Sequence, residues 1–282
     1  MKVSIMGCYA YKDEETEETL AKHILDISNC IKNLWETEGL SSKLSKIYGV
    51  DKLVAYDMLI VAGIIHDMGK TQRVLQEECS KKCTSFRLHY ITSAQLALKL
   101  GYDIPELGLS PNNIEAKLED LLSNKEIKLL DHGDLYILIV VLPTLLHHYS
   151  QITSESSILS GLDSQIKVLC IHEDCIKDLT LAMSNASCLL KSELGSKLLE
   201  RLMQEVKKGS VNLRIIIGGQ AFRNVSGNYE YSLGRFIVEA AMGILNLCDG
   251  MVAFTNRRPF TARRGISKEF LGNVTLVKDV LS

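Results

Sequence analysis

Histidine and aspartate residues at five separate places along the chain are the side chains best suited to chemistry. The chain has 7 histidines, and five of them occur at these places, on or beside segments whose apolar spacing predicts helices. Imidazole nitrogens and carboxylate oxygens are ligands that bind transition metals in proteins, so the set predicts a metal site. Its members are His23, His66, Asp67, His89, His147, His148 and Asp249.

Two of the acidic residues lie inside strongly apolar segments. Asp67 follows the sequence GIIH at the end of an almost entirely apolar stretch, and Asp249 lies within ILNLCDGMV. An ionised carboxylate is costly to bury without a partner, and a metal ion or a strong cation is the usual compensation. A single histidine on an apolar face, such as His23, is by contrast more often a hydrogen-bonded core residue. The prediction therefore depends on the set as a whole.

A buried carboxylate flanked by imidazoles suits hydrolysis of phosphate esters. A bridging carboxylate can give one oxygen to each of two cations about 4 Å apart, which is typical of two-metal hydrolytic sites. One ion lowers the pKa of a bound water, and the pair stabilises the charge that develops on the phosphate oxygens. Such a reaction requires no protein nucleophile, so the ligand set predicts a metal-dependent phosphodiesterase.

The order of these residues, with HDMGK at residues 66–70, resembles the HD superfamily of metal-dependent phosphohydrolases. The HDxGK form, the later single histidine and the His-His pair look most like the stand-alone HD nuclease of type I CRISPR-associated interference systems. The resemblance covers most of the chain, from the first to the last member of the ligand set. A His-Asp doublet alone is a weak signal, and the ordered set is the specific one.

The resemblance implies two divalent metal ions per chain and a role for each ligand. It assigns the first ion to His23, His66, Asp67 and Asp249. It assigns the second ion to Asp67, His89, His147 and His148, with Asp67 bridging. Catalytic roles are implied for Asp67 and for Lys70, whose ammonium would neutralise a phosphate oxygen; the alternative for Lys70 is a helix-terminal cation favoured by the helix dipole. Mn, Mg, Ni, Co, Fe and Zn are all left open as the metal.

The function that the resemblance implies is hydrolysis of DNA, chiefly single-stranded, in antiviral defence by CRISPR interference. Endonuclease and exonuclease action both stay open. The implied partners are DNA, a separately encoded helicase subunit and an RNA-guided CRISPR surveillance complex, in the cytoplasm. The alternatives are an HD-type phosphohydrolase of small nucleotides and a non-enzymatic HD scaffold. A scaffold predicts lost ligands, whereas every position of the pattern is filled.

Residues 63–71 come close to a phosphate-binding P-loop but do not form one. That motif has four residues between its glycines, whereas five separate Gly63 from Gly69. A helix, rather than a strand, is predicted before it. We therefore predict no nucleotide-triphosphate engine in this chain, which resembles the separately encoded form of the nuclease.

A basic cluster follows the last predicted metal ligand. Its arginines could contact a DNA backbone, and the interleaved Phe254 and Phe260 could stack on bases. A solvated basic tail is the alternative, and the same holds for Arg223. The candidate nucleic-acid-binding residues are Arg257, Arg258, Arg263 and Arg264.

The elements that must position the ligands are almost all helices. Apolar spacing predicts helices over residues 15–35, 51–68, 89–100, 110–122, 135–149, 175–207 and 233–254. Gly69 is predicted as a left-handed cap, Gly101 as a helix end and Ser110 as an N-cap. One short β element is predicted at residues 211–217. We predict an all-α HD-domain helical bundle, a single domain over residues 1–282 with a family-specific insertion at about residues 150–209.

Composition argues against a protein that binds nucleic acid through overall positive charge and against a membrane protein. The formal net charge is −2, so attraction to phosphate requires a local patch or a bound metal. The longest apolar run, residues 135–146, is too short to span a bilayer and contains Pro143, so no membrane association is predicted.

The cysteines and the two remaining histidines are not assigned to a metal site. With no signal peptide predicted before the first helix, the 8 cysteines are expected to be reduced, intracellular thiols. The pairs Cys79/Cys83 and Cys170/Cys175 do not repeat a paired CxxC signature, so they predict no structural zinc site. His132 and His172 match nothing in the pattern and are predicted to lie at the surface or in loops.

Overall fold

The protein is mostly helical, with two antiparallel two-stranded sheets, in a computed structural model that describes residues 7–79, 82–123, 127–148, 161–216, 218–219 and 232–257. The predicted all-α class with a short β element is confirmed. In chain order the elements are β1 (Tyr9–Lys12), β2 (Glu17–Thr19), α1 (Leu20–Asn33), α2 (Trp35–Tyr48), α3 (Lys52–Ile65), a 3₁₀ turn (Met68–Thr71), α4 (Arg73–Glu78), α5 (His89–Asp103), a 3₁₀ turn (Pro105–Leu107), α6 (Ile114–Ser123), α7 (His132–Tyr136), a π-helical turn (Ile137–Val141), α8 (Leu142–Leu146), β3 (Val168–Cys170), α9 (Glu173–Ala186), a 3₁₀ turn (Ser187–Leu189), α10 (Glu193–Lys207), β4 (Ser210–Asn212) and α11 (Leu233–Asn256).

Helix α1 begins later than its apolar spacing predicts. Thr19 is its N-cap, and its hydroxyl accepts a hydrogen bond from the Lys22 backbone N–H at 3.3 Å. The residues before it form the β1–β2 hairpin instead of a helical turn. The apolar stripe of α1 faces the core, and His23 lies on that stripe, fully buried.

Helix α3 is the central helix, as its almost uninterrupted apolar sequence predicts. Asp51 caps its N-terminus by accepting from the backbone N–H groups of Leu53 and Val54. Every residue from Val54 to Ile65 is buried, and α3 packs against α1, α2 and α10. The helix ends at Ile65, which places His66 and Asp67 at its C-terminal end, inside the protein.

Gly69 does not form the predicted left-handed cap. It lies inside the 3₁₀ turn that follows α3, and its φ is not positive. Glycine is required for a different reason: a Cβ at this position would lie 2.1 Å from the backbone oxygen of His89. The turn after Asp67 therefore packs directly on the first residue of α5, with backbone against backbone.

Replacing Gly69 with alanine is expected to lower the free energy of unfolding by roughly 3 kcal/mol, because the backbone atoms of His89 must move. Urea unfolding followed by circular dichroism measures this loss. Gly243→Ala is the matched control: it lies in α11 with no atom within 4 Å of an added Cβ. That variant is expected to gain up to about 1 kcal/mol. Equal effects of the two substitutions would contradict the packing explanation.

The apolar helix predicted at residues 135–149 is observed as the segment His132–Leu146, which changes its winding along its length; residue 149 lies outside the described part of the chain. Pro143 has no N–H and cannot donate to the carbonyl four residues earlier. A π-helical turn precedes it, in which the Leu142 N–H bonds to the Ile137 carbonyl. Almost every residue of this segment is buried, and His147 follows directly at its end.

The range predicted as an insertion, residues 150–209, contributes elements to the core where it is described. Helix α9 packs on α1, and α10 packs on α3 and α5. Residues 175–207 form two helices rather than the one predicted. The buried carboxylate of Asp57 accepts hydrogen bonds from the backbone N–H groups of Lys191 and Ser192. These bonds fix the start of α10. Of the β element predicted at residues 211–217, only residues 211 and 212 lie in a strand, β4, which pairs with β3; residues 213–216 form no strand, and residue 217 lies outside the described part of the chain.

Two other predicted helix ends are wrong by part of a turn or more. Gly101 lies inside α5, which continues to Asp103, and a Cβ there would press on Leu109 and Tyr136. Helix α6 begins at Ile114, because residues 111–113 after Ser110 form a turn. The Ser-rich residues 149–160 lie outside the described part of the chain.

Helix α11 is the one described helix that is long and apolar enough to cross a membrane by length and composition alone. Its apolar window is 44% buried inside the protein, and a core helix of a soluble protein passes the same test. The described residues form two clusters of buried apolar side chains, and α11 contributes Ile237, Val238 and Leu245 to the larger one.

Six of the eight cysteines are paired in disulfides, so the expectation of reduced thiols is wrong in this structure. The pairs are Cys8–Cys175, Cys30–Cys248 and Cys79–Cys83, and Cys170 and Cys188 are free and exposed. Two of the pairs join residues 167 and 218 positions apart, which spacing along the chain does not indicate.

Candidate metal centre

All seven predicted ligands meet at one place in the interior. His23 comes from α1, and His66 and Asp67 come from the end of α3. His89 is the first residue of α5, His147 and His148 directly follow α8, and Asp249 lies in α11. Residues far apart in the chain therefore meet because five helices converge here. Asp249 is about one quarter exposed and His148 is half-buried, whereas the other five are buried.

The ligands form two groups that share Asp67. His23, His66 and Asp67 offer atoms within 4.8 Å of one another, and so do Asp67, His89, His147 and His148. The two oxygens of Asp67 face different groups. Its Oδ2 lies 3.2 Å from His23 Nε2 and 3.5 Å from His66 Nε2, while its Oδ1 lies 3.0 Å from His89 Nε2. We call these the first and the second ligand group.

The hydrogen bonds of four of the rings use the same nitrogen, Nδ1, and turn Nε2 toward the centre. The Nδ1 atoms of His66, His89 and His147 lie 2.7–2.8 Å from the backbone oxygens three residues earlier in the chain. His23 Nδ1 lies 2.9 Å from a carboxylate oxygen of Glu18. Carbonyl and carboxylate oxygens only accept, so each Nδ1 must donate. In the neutral form of each ring, Nε2 then carries a lone pair directed into the centre, as in metal-ligating histidines.

Several of the converging atoms have no hydrogen-bond partner. They are buried, and buried polar atoms are almost always hydrogen-bonded, so each requires an explanation. A cation between them supplies one. The unpartnered atoms at the centre are His23 Nε2, His66 Nε2, His147 Nε2 and Asp67 Oδ1.

The distances between neighbouring ligand atoms also fit one ion in each group. Metal–nitrogen bonds of about 2.1 Å place adjacent ligands of one ion roughly 3.0–3.4 Å apart. In the second group His148 Nε2 lies 3.1 Å from His89 Nε2. Beside the first group, His23 Nε2 lies 3.2 Å from Asp249 Oδ1. These buried histidines and aspartates can therefore hold a metal ion.

The second group is electrostatically suited to neutral imidazole ligands. Burial, together with the neighbouring imidazoles, lowers the pKa of His147 well below its usual value. Burial and His89 lower the pKa of His148 to about 4. Both rings are therefore uncharged near neutral pH, which is the form that binds a metal.

The first group instead attracts positive charge. Burial would lower the pKa of His23, but Asp249, Asp67 and Glu18 raise it to about 10. Burial would raise the pKa of Asp249, but His23 lowers it well below its usual value. Both pKa shifts have the same cause: the side chains that converge here include carboxylates, which stabilise a positive charge at this place.

Lys70 lies against the bridging carboxylate. Its Nζ is 2.6 Å from Asp67 Oδ2 and 5.3 Å from the centre of the Phe86 ring, and the side chain is only 10% exposed. Burial would raise the pKa of Asp67, but Lys70 and the imidazoles lower it well below its usual value. Of the two interpretations of Lys70, contact with the centre is the one that this geometry favours over an exposed helix-terminal charge.

The predicted arginine cluster is described at one position only. Arg257 Nε donates to Glu18 Oε2 at 2.6 Å, and its guanidinium lies 4.9 Å from the centre of the Tyr11 ring. The side chain is 19% exposed and faces inward. Arg223, Arg258, Arg263, Arg264 and Phe260 lie outside the described residues.

Two further histidines do not join the centre. His132 is the first residue of α7 and is half-buried. His172 is the N-cap of α9, where its Nδ1 accepts from the Asp174 backbone N–H at 3.3 Å. Sequence reasoning missed Glu18, because it ends the acidic run from Asp13 and has the composition of a solvated segment.

A scan of the chain against protein-family models gave no match, and searches of curated proteins and of solved structures gave none either. What the fold and the centre define is therefore a class: a mostly helical protein with a buried His/Asp cluster that can hold a metal ion. This arrangement is compatible with an HD-type fold.

Proposed function

We propose that this chain is a metal-dependent HD nuclease that hydrolyses phosphodiester bonds of DNA, chiefly single-stranded. The observation that supports it most is the position of Asp67, which presents one carboxylate oxygen to each of two histidine groups. Bridging carboxylates of this kind occur in two-metal hydrolytic sites. One ion in each group, two per chain, is accordingly part of the proposal.

The ligands of each ion follow from the two groups. The first group with Asp249 would hold one ion, and the second group the other. Several imidazole ligands favour Mn, Fe, Co, Ni or Zn over Mg. When bound, such ions make hydroxide available near neutral pH and stabilise charge on phosphate oxygens.

Side chains of the protein itself would hold the cations in place and neutralise charge on the substrate. Asp67 and Asp249 supply the negative charge that retains cations in an apolar interior. Lys70, held between Asp67 and the Phe86 ring, is placed to attract a phosphate oxygen as its charge develops.

A pocket whose lining includes exposed cations could contribute to the binding of a phosphate-bearing substrate. Its volume is about 430 Å³, and its lining includes Lys82, Phe86 and Arg87. Its lining residue Phe86 has its ring 6.4 Å from the His89 ring. Lys82 and Arg87 are exposed cations that can contact phosphates next to the one being cleaved.

The test is a digest of end-labelled single-stranded DNA by purified protein with Mn²⁺, Mg²⁺, Co²⁺ or Ni²⁺, in parallel with a panel of nucleoside mono-, di- and triphosphates. We expect cleavage of the DNA with at least one metal and loss of cleavage with EDTA. Turnover of nucleotides alone would favour the small-nucleotide phosphohydrolase instead. The absence of any turnover would favour the non-enzymatic scaffold.

The cellular role is proposed on the resemblance alone. HDxGK followed by a single histidine and a His-His pair is typical of nucleases in type I CRISPR interference, in which a helicase and an RNA-guided complex deliver single-stranded DNA. We propose that this chain acts with such partners. Co-purification with a helicase and stimulation of cleavage by ATP in the mixture would test it.

Replacing Lys70 with alanine is expected to lower the cleavage rate by roughly 100-fold, because one positive group near the reacting phosphate is lost. Lys99→Ala is the matched control, since Lys99 forms a comparable partly buried pair with Asp103 in α5. It is expected to leave the rate within about twofold. A loss for Lys70→Ala as large as that for Asp67→Ala would show a greater role for the lysine.

A further inference from the structure

Glu18 is a fully buried carboxylate immediately before helix α1. Its Oε1 accepts from His23 Nδ1 at 2.9 Å and from Asn256 Nδ2 at 2.9 Å. Its Oε2 accepts from Arg257 Nε at 2.6 Å. Its side chain is 0% exposed. Three donors use its oxygens within the protein, so Glu18 lies behind a metal ligand and is not a ligand itself.

His23 differs from the other buried rings in how it is oriented. His66, His89 and His147 each use the backbone oxygen three residues earlier in the chain, which the local backbone supplies. His23 uses the side chain of Glu18. Its ring orientation therefore depends on a group that a substitution can remove, and that group also selects which ring nitrogen carries the hydrogen.

The same carboxylate holds the end of α11. Asn256 Nδ2 donates to Glu18 and to Asp26 in α1, and Arg257 completes the contact. Asp249 lies two helical turns earlier in α11, with its Oδ1 3.2 Å from His23 Nε2. Glu18 thus connects the two helices that bring His23 and Asp249 to one place.

We propose that Glu18 is a positioning residue of the first ligand group. It fixes the orientation of the His23 ring, and through Asn256 and Arg257 it holds the end of the helix that carries Asp249, so that both side chains would be in place to bind an ion. The inference rests on the metal-binding part of the proposed function. Removing the hydrogen-bond partner of a metal-ligating histidine typically costs 10–100-fold in metal affinity.

The experiment is a titration of the full chain with Mn²⁺, followed by electron paramagnetic resonance of free Mn²⁺, without any substrate. Glu18→Ala is expected to weaken the first group by roughly 10–100-fold and to leave the second group within about twofold. Glu18→Gln is expected to lose less, because its amide oxygen still accepts from His23 Nδ1.

The matched control is Glu205→Ala. Glu205 is also a buried glutamate; it lies in α10, pairs with Arg201 and Lys208, and belongs to neither ligand group. We expect it to lower the thermal midpoint and to leave both metal affinities unchanged. Equal effects of Glu18→Ala and Glu205→Ala on metal affinity would overturn the inference.

A second readout separates positioning from general stability. In the Zn²⁺-loaded protein, long-range ¹H–¹⁵N spectra should show the proton of His23 on Nδ1, and Glu18→Gln should shift the His23 ring signals while those of His147 stay in place. Unchanged His23 signals would overturn the inference. A wild-type chain that binds metal but cleaves nothing would instead contradict the nuclease proposal and leave this inference standing.

Discussion

Asp67→Ala is expected to abolish hydrolysis, with a fall in rate of roughly a thousandfold or more, because the substitution removes a ligand from both groups at once. No other residue of the centre faces both groups in this way. Its Oδ1 and Oδ2 lie 3.0 Å from His89 Nε2 and 3.2 Å from His23 Nε2. The loss of both bound ions, measured by elemental analysis after dialysis, should accompany the loss of activity.

The control for Asp67→Ala is a second buried aspartate of the same region. Asp57→Asn removes a carboxylate from α3 that bonds to the backbone before α10 and does not face the centre. This substitution should lower the free energy of unfolding and leave the metal content unchanged. Robust cleavage by an Asp67→Ala protein would eliminate the two-metal mechanism.

Chemical reduction is expected to lower the free energy of unfolding by several kcal/mol. Cys8–Cys175 and Cys30–Cys248 close loops with sequence separations of 167 and 218 residues. In the chain-entropy description each long cross-link contributes up to roughly 5 kcal/mol, because it restricts the unfolded chain. Guanidinium unfolding with and without a phosphine reductant measures the difference.

Thiol counting tests the same disulfides directly. Alkylation under denaturing conditions should modify two cysteines per chain before reduction, Cys170 and Cys188, and all 8 afterwards. Cys188→Ser is the control, because it removes a free thiol and should leave the unfolding curve unchanged. Eight reactive thiols in the unreduced protein would contradict all three pairs.

The ligand set could be predicted from sequence because the cost of burying a charged side chain can be recognised within a single segment. A carboxylate at the end of an apolar helix, such as Asp67, requires compensation wherever that helix is placed. The pair His147-His148 follows a long apolar run and must therefore be deep. The helices could also be predicted from local sequence, because the spacing of apolar residues alone indicated α3 and α11.

Features that depend on contacts between distant segments could not be predicted. Gly69 matched a common helix-capping pattern, but its role comes from His89, twenty residues later. Glu18 owes its burial to Arg257, at the other end of the described chain. Disulfide partners such as Cys30 and Cys248 meet only through helix packing. Each of these is a property of the assembled bundle and not of any single segment.

The long sequence separation between ligands has a consequence during synthesis. His23 emerges early from the ribosome, whereas Asp249 emerges only with α11, after every other element described. Domains fold from the N-terminal side as the chain is made. The seven residues of the centre can therefore come together only after α11 has been synthesised.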